Sequence, residues 1–151
     1  MIVRTARHGD LADLLELFAQ LHEDDQPAPS VLATQWNVWG RVLGQEGRVV
    51  LLAEDEDEDE GVLLGAADLL TVPNITHDGR PWAIVERVVV TRAWRRQGVG
   101  RLLMQEAIRR ATAAGCYMLQ LLTRRERTGA HRFYETLGFQ AVAEGFRLTF
   151  P

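Results

Sequence analysis

The chain contains no lysine; all seventeen of its basic residues are arginine, which leaves no lysine side chain to be acetylated. It has one cysteine, Cys116, which excludes an internal disulfide and any multi-cysteine zinc site. No apolar run approaches the ~20 residues that a membrane helix needs. The first ten residues carry Arg4, Arg7 and Asp10 and no apolar stretch, so no signal peptide is expected and a soluble, cytoplasmic protein is. What is present is ordinary for a globular protein: 151 residues, 46% hydrophobic and 25% charged. That length reads as a single domain over residues 1–151, with no repeat and no long linker.

Charge is unevenly distributed. The formal net charge is −4, yet residues 54–60 form an unbroken acidic run, Glu-Asp-Glu-Asp-Glu-Asp-Glu. Such a run repels itself and stays solvated, so it reads as a loop or hairpin tip. It lacks the glycine and the spaced ligands of a calcium-binding loop, and no metal is expected. Between residues 91 and 132 there are ten arginines against only Glu106 and Glu126, a local charge of +8. That field attracts an anion, either nucleic acid or a phosphorylated small molecule. No recognition-helix or base-stacking motif accompanies it and the whole chain is acidic, so no nucleic-acid partner is expected.

Strands and helices alternate. Residues 2–4 read as a short strand, and Asp10 as the cap of a helix with Leu11, Leu14, Leu15, Phe18 and Leu21 at helical spacing. Gln26, Pro27 and Pro29 break it, and Ser30 can cap a second helix to about Leu43 that carries Trp36 and Trp39 on one face. Residues 48–54 and 62–72 predict a hairpin around the acidic tip. Residues 82–90 predict a strand. From Gly98 the period becomes helical, with Val99, Leu102, Leu103, Ile108 and Ala111 on one face and Gly115 as a stop. Residues 116–122 predict the next strand, Thr128 a cap, 129–137 a short helix, and 139–142 and 146–150 two closing strands. Strand, helix and strand over residues 83–122 make a βαβ unit with a parallel pair.

The segment Arg95-Arg96-Gln97-Gly98-Val99-Gly100 joins that strand to that helix. A first helical turn has N–H groups without partners and a partial positive charge; glycines admit close approach, and arginines add charge, so the chemistry suits a diphosphate. Two glycines at a helix start equally describe an ordinary turn. It is neither a Walker loop nor a dinucleotide fingerprint, because no Gly-Lys-Ser/Thr follows and only Gly98-x-Gly100 is present.

Around it stand Glu86-Arg87-Val88-Val89-Val90 before and Phe133-Tyr134-Glu135 with Gly138-Phe139 after. With Arg95, Gly98 and Gly100, this order and spacing strongly resembles the GNAT superfamily of N-acetyltransferases, specifically over residues 83–140. Glu86 before the valines and Gly115-Cys116-Tyr117 are also similar to the glucosamine-6-phosphate acetyltransferase branch. The resemblance implies an α/β (α+β) fold: a central mixed twisted sheet of about six to seven strands, flanked by about four helices, with a V-shaped splay between the two central parallel strands.

It also implies acetyl-CoA as cosubstrate and a primary amine of a small molecule as acceptor, attacking directly in a ternary complex. Val88, Val89 and Val90 would hydrogen-bond the pantetheine amides and orient the acetyl carbonyl. Arg95, Arg96, Gln97, Gly98, Val99, Gly100 and Arg101 would hold the diphosphate, and Arg127 the 3′-phosphate or an acidic acceptor. Tyr134 would be the acid at the leaving thiolate; read alone, it is a core tyrosine beside Phe133. Glu86 is the candidate base, or else a salt-bridged or substrate-positioning carboxylate. Residues 86, 88 and 90 share one face of a regular strand, which points Glu86 to the acetyl side. His131 is the second candidate base, expected on the exposed side of its helix. Tyr117 and Thr123 would line the acceptor slot, which Trp36 and Trp39 border. Cys116 reads as a buried apolar residue.

The sequence departs from the family's pattern in three places. Arg87 stands where the sugar-phosphate branch often has Asp or Asn, Arg127 near a position that is often Asn, and the strand reading Leu119-Gln120-Leu121-Leu122 lacks an acid. Protein or peptide amines are alternative acceptors, and a catalytically silent CoA-binding regulatory domain is the alternative of another class. A homodimer is implied at family level, with residues 139–150 as the contact.

Overall fold

A computed structural model describes residues 1–21, 30–56 and 61–151. The proline break at 26–29 and the last four residues of the acidic run, 57–60, lie outside these residues. The described chain forms two compact units, residues 1–120 and 121–151.

The first unit begins with β1 (Ile2–Thr5), α1 (Leu11–Phe18) and α2 (Ala33–Leu43). Helix α2 starts later than Ser30: the Leu32 N–H is taken by Gln35 Oε1 at 2.8 Å, so a side chain inside the helix satisfies the orphan donor. The hairpin follows as β2 (Arg48–Glu54) and β3 (Leu63–Val72), then β4 (Trp82–Val90) and α3 (Val99–Ala113). Strand β5 (Leu119–Leu121) is shorter than its apolar run. The second unit carries α4 (Thr128–Glu135), with Arg127 rather than Thr128 at the N-cap.

The sheet order is β1-β2-β3-β4-β5, and the first three pairings are antiparallel. Where β4 meets β5, Tyr117 N–H donates to the Pro81 carbonyl at 2.9 Å and Ala83 N–H to the Met118 carbonyl at 3.0 Å. These bonds climb both segments in the same sense, as in a parallel pair, and α3 is the crossover between them.

The expected six to seven strands are five among the described residues. Residues 139–142 and 146–150 have the side-chain alternation of strands but form no ladder. An extended segment becomes a strand only when a neighbour takes its hydrogen bonds. Val142, Phe146, Leu148 and Phe150 are 82, 93, 78 and 78% exposed.

Each face of the sheet buries a helical layer. Val50, Leu52, Ala66 and Val89 form one core with Leu14, Leu17 and Trp39 of α1 and α2. Leu51, Ala53, Ala67, Leu69, Ala83 and Val85 are buried on the other face, against which α3 packs. Gly65 sets how closely α3 can approach. A Cβ there would lie 2.7 Å from the Val89 carbonyl oxygen and 3.1 Å from Val99 Cγ1, so the glycine seats the first turn of α3 on the sheet.

An ion cluster pins the β1 edge. Arg4 donates from Nε to Glu54 at 2.6 Å and from both Nη atoms to the two Asp10 oxygens at 2.8 and 2.9 Å. The Arg4 hydrogen bonds hold the Asp10 carboxyl below its ordinary range, against burial, which raises it. A carboxylate depressed by folding stabilises above its unfolded value of about 3.9, and that contribution is lost as pH falls through the folded value. Asp10→Asn is therefore expected to cost about 1–3 kcal/mol at pH 7. The gap to the parent should shrink below about pH 4. Urea unfolding at pH 7 and in that acid range checks both.

Candidate active site

The site is built on an irregularity in β4. Val89 pairs with Ala66 and Glu86 with Asp68, so Arg87 and Val88 together stand opposite Ala67 alone. This is a β-bulge, which takes backbone groups out of the ladder and re-aims side chains. Arg87 carries the strain, at φ +53° without being glycine.

The bulge also corrects an expectation. Residues 86, 88 and 90 do not share one face: Glu86 lies on the face of Asp68 and Val89, and Val90 on the face of Gly65. Glu86 is half-buried. No ion pair or hydrogen bond engages its carboxylate among the described residues, so the salt-bridge reading finds no partner there.

Sequence reasoning missed the neighbour across the ladder. Asp68 is 3% exposed and is gripped by Arg48, Nε to Oδ1 at 3.0 Å and Nη2 to Oδ2 at 2.5 Å. A lone carboxylate inside the apolar run Leu-Leu-Gly-Ala-Ala-Asp-Leu-Leu was the available signal.

Beyond β4, the turn to α3 is fastened from α1's side. Gln20 Oε1 accepts the Arg92 N–H at 2.9 Å and the Thr91 hydroxyl at 3.4 Å. Nothing in the sequence around Gln20 announced this. Arg95 is turned toward the main chain, donating from Nε to the Val90 carbonyl at 3.2 Å and from Nη2 to the Gln20 carbonyl at 3.4 Å. Gln97 donates to the Ala93 carbonyl at 2.9 Å. Arg96 sits in the left-handed region at φ +66°, and Arg95, Arg96 and Arg101 are exposed.

Gly98 is the N-cap of α3 at φ +89°, and no atom lies within 4 Å of the place its Cβ would occupy. The first i→i−4 bond of the helix is Leu102 N–H to the Gly98 carbonyl at 3.0 Å. The N–H groups of Val99, Gly100 and Arg101 precede it. This open left-handed corner, with arginines on both sides, fits a bound diphosphate.

In the second unit, Tyr134 is half-buried on α4, its ring centroid 5.2 Å from that of Phe133 and 5.9 Å from that of Phe139. Burial pushes its phenol above the ordinary tyrosine value of 10, and the charge of Arg127 pulls the other way. The group therefore holds its proton at neutral pH, as a proton donor must. His131 Nε2 lies 2.9 Å from the Arg124 carbonyl oxygen, which can only accept, so that nitrogen carries hydrogen. Thr123 Oγ1 is buried and has no hydrogen-bond partner among the described residues.

Tyr117 stacks on His77 with centroids 3.8 Å apart. Burial raises the Cys116 thiol above its ordinary value, so it is not a ready nucleophile. Among the described residues, no group of three or more His, Cys, Asp and Glu is arranged to hold a metal, and no helix is long and apolar enough to cross a membrane.

The chain is similar to known proteins in sequence and fold. The sequence matches the Acetyltransferase (GNAT) family over residues 11–139. It is 34% identical to a glucosamine 6-phosphate N-acetyltransferase of Trypanosoma brucei brucei, over 97% of this chain and 93% of that protein. A solved structure from Agrobacterium tumefaciens, provisionally named an acetyltransferase, superposes with a TM-score of 0.89 at 35% identity, covering 99% of this chain and 100% of that one. A crystal structure of a transcriptional regulator from Bacillus halodurans superposes with a TM-score of 0.86 at 28% identity, covering 98% of each chain. With the bulged strand, the glycine-capped helix and the tyrosine helix in this order, the chain belongs to the GNAT family of acetyltransferases.

Proposed function

We propose that this chain transfers an acetyl group from acetyl-CoA to a primary amine of a small molecule, by direct attack within a ternary complex. The observation that carries the reading is the Gly98 corner at φ +89°, reached by a short turn from the end of a strand that carries a β-bulge. Acetyl-CoA, when bound, supplies the thioester carbonyl that the amine attacks. Residues 95–101 hold the diphosphate, with Arg96 and Arg101 giving charge and the start of α3 giving N–H donors. Arg95 keeps donors to spare beyond the two that brace the turn. Arg127 is assigned to the 3′-phosphate.

Backbone groups of Val88, Val89 and Val90 hold the pantetheine arm, in a V-shaped slot beside β4, and an N–H at the bulge faces the developing oxyanion. A fixed donor there stabilises charge without reorganising. Glu86 takes the proton the amine loses, directly or through one water. Tyr134 gives a proton to the departing sulfur, so the products are an amide and a free thiol. Cys116 takes no covalent part.

A thiol-release assay over a panel of small amines tests the reading. Turnover that requires the amine supports it. CoA binding without turnover of any amine leaves the silent regulatory reading, and turnover of peptide N-termini alone leaves the peptide reading.

We also propose a homodimer through residues 139–150. Phe146, Leu148 and Phe150 alternate along an exposed segment, and apolar strips of this kind mark contact surfaces. Light scattering should give twice the mass of one chain, and Phe146→Arg should return it to one. A single-chain mass at every concentration would contradict the dimer.

A further inference from the structure

We infer that the acceptor is an apolar amino acid: a hydrocarbon body bearing both a primary amine and a carboxylate. The inference rests on the acetyltransferase reading above and names its substrate class.

A cavity of about 340 Å³ opens between α1, α2 and the sheet face that bears Glu86 and Asp68. Its size is at the low end for small-ligand pockets, which suits an amino acid. Leu15, Phe18, Val38 and Trp39 line its walls. Val38 is 53% exposed, an apolar side chain that solvent reaches from α2.

Five polar residues line the cavity: Thr34 and Gln35 on α2, with Gln35 Oε1 taken by the Leu32 N–H, and Arg48, Asp68 and Arg87. Arg48 and Asp68, in its lining, satisfy each other through two hydrogen bonds. Arg87 also lines it, is exposed, and pairs with no carboxylate among the described residues. Its guanidinium lies 5.7 Å from the centroid of the Phe18 ring. That stacking steers the charge over an apolar wall. One forked cation above hydrocarbon walls is complementary to one carboxylate on a hydrocarbon body. A polyhydroxyl sugar could bond Thr34, the Gln35 amide and Arg87, but its other hydroxyls would lie against leucine, valine and phenylalanine, at a cost for each one left unbonded.

The cavity touches the bulge at Arg87. Arg87 is the first residue of the bulge, with Glu86 before it and Val88 after it. An acceptor whose carboxylate rests on Arg87 keeps its α-amine beside Glu86. The amine nitrogen bonds to the acetyl carbon, the carbon–sulfur bond breaks, the nitrogen's proton passes to Glu86 and the sulfur takes one from Tyr134.

The test is thiol release by the full chain at saturating acetyl-CoA. The acceptors are leucine, phenylalanine, phenethylamine, glucosamine and glucosamine 6-phosphate. Leucine or phenylalanine should have the highest kcat/KM, at least about tenfold above phenethylamine, which lacks the carboxylate. Arg87→Gln should shrink that acid-over-amine ratio by about tenfold through KM, and Arg87→Lys should restore part of it. Val38→Arg, at an exposed position, should raise KM for both apolar acids. Thermal melting shows that each variant is folded. Higher kcat/KM with glucosamine 6-phosphate, an unchanged ratio in a folded Arg87→Gln, or no turnover of either apolar acid while another amine is acetylated would overturn the acceptor class alone; CoA binding with no amine acetylated would count against the acetyltransferase reading itself. Failure to bind CoA would overturn the reading beneath it.

Discussion

Tyr134→Phe should lower kcat by about 10²–10⁴-fold, the range in which a positioned acid contributes, while CoA affinity stays close to that of the parent. The expectation follows from what the side chain touches. Its ring packs against Phe133 and Phe139, and phenylalanine keeps those contacts. The change thus removes one hydroxyl and little packing. A coenzyme thiol of ordinary pKa, about 8.5, leaves poorly as a thiolate near neutrality unless it receives a proton. Because burial raises the Tyr134 phenol above its ordinary value, the loss of activity that follows its deprotonation should lie at higher pH than for an exposed tyrosine. Stopped-flow thiol release with a saturating amine, beside a CoA titration, separates the two quantities. Unchanged turnover would remove Tyr134 from the chemistry.

The second large effect is expected at Glu86. Glu86→Gln keeps the shape and removes the base, so kcat/KM for the amine should fall by about 10²–10⁴-fold. KM for acetyl-CoA should hardly move. Glu86 suits the test because no hydrogen bond or ion pair ties its carboxylate to the fold among the described residues, unlike Asp68, which Arg48 holds on both oxygens. A fall in rate that disappears when the amine is supplied unprotonated at high pH identifies proton removal as the lost step. A rise in amine KM with kcat preserved would instead make Glu86 a positioning residue.

How much of this was legible depended on how local its cause is. Strand β4 and the start of α3 were read to within a residue, because β-branched repetition and a glycine at a left-handed cap are signals carried by the residues themselves. The hairpin around the acidic run was legible for the same reason. The bulge was not. It is set by the pairing of β4 with β3, and its strained residue is an arginine, not the glycine that would have marked it. Missing it put Glu86 on one face with Val90, which the pairing with β3 separates.

The Arg48–Asp68 grip and the Gln20 brace join residues twenty and more than seventy positions apart, and neither side chain is unusual in its local stretch except Asp68. Residues 139–150 show the opposite failure. Their alternation is strand-like, but a ladder requires a partner, which alternation does not supply.

The central claim is that the Gly98 corner receives the coenzyme's diphosphate, and calorimetric titration of the full chain with CoA and with pantetheine tests it most directly. Pantetheine has the arm without the nucleotide. CoA should bind at least about a hundredfold more tightly, since only it presents phosphates to the helix start and its arginines, and Gly98→Asp should abolish that advantage. Equal affinity for the two compounds, or no heat with CoA, would contradict the account.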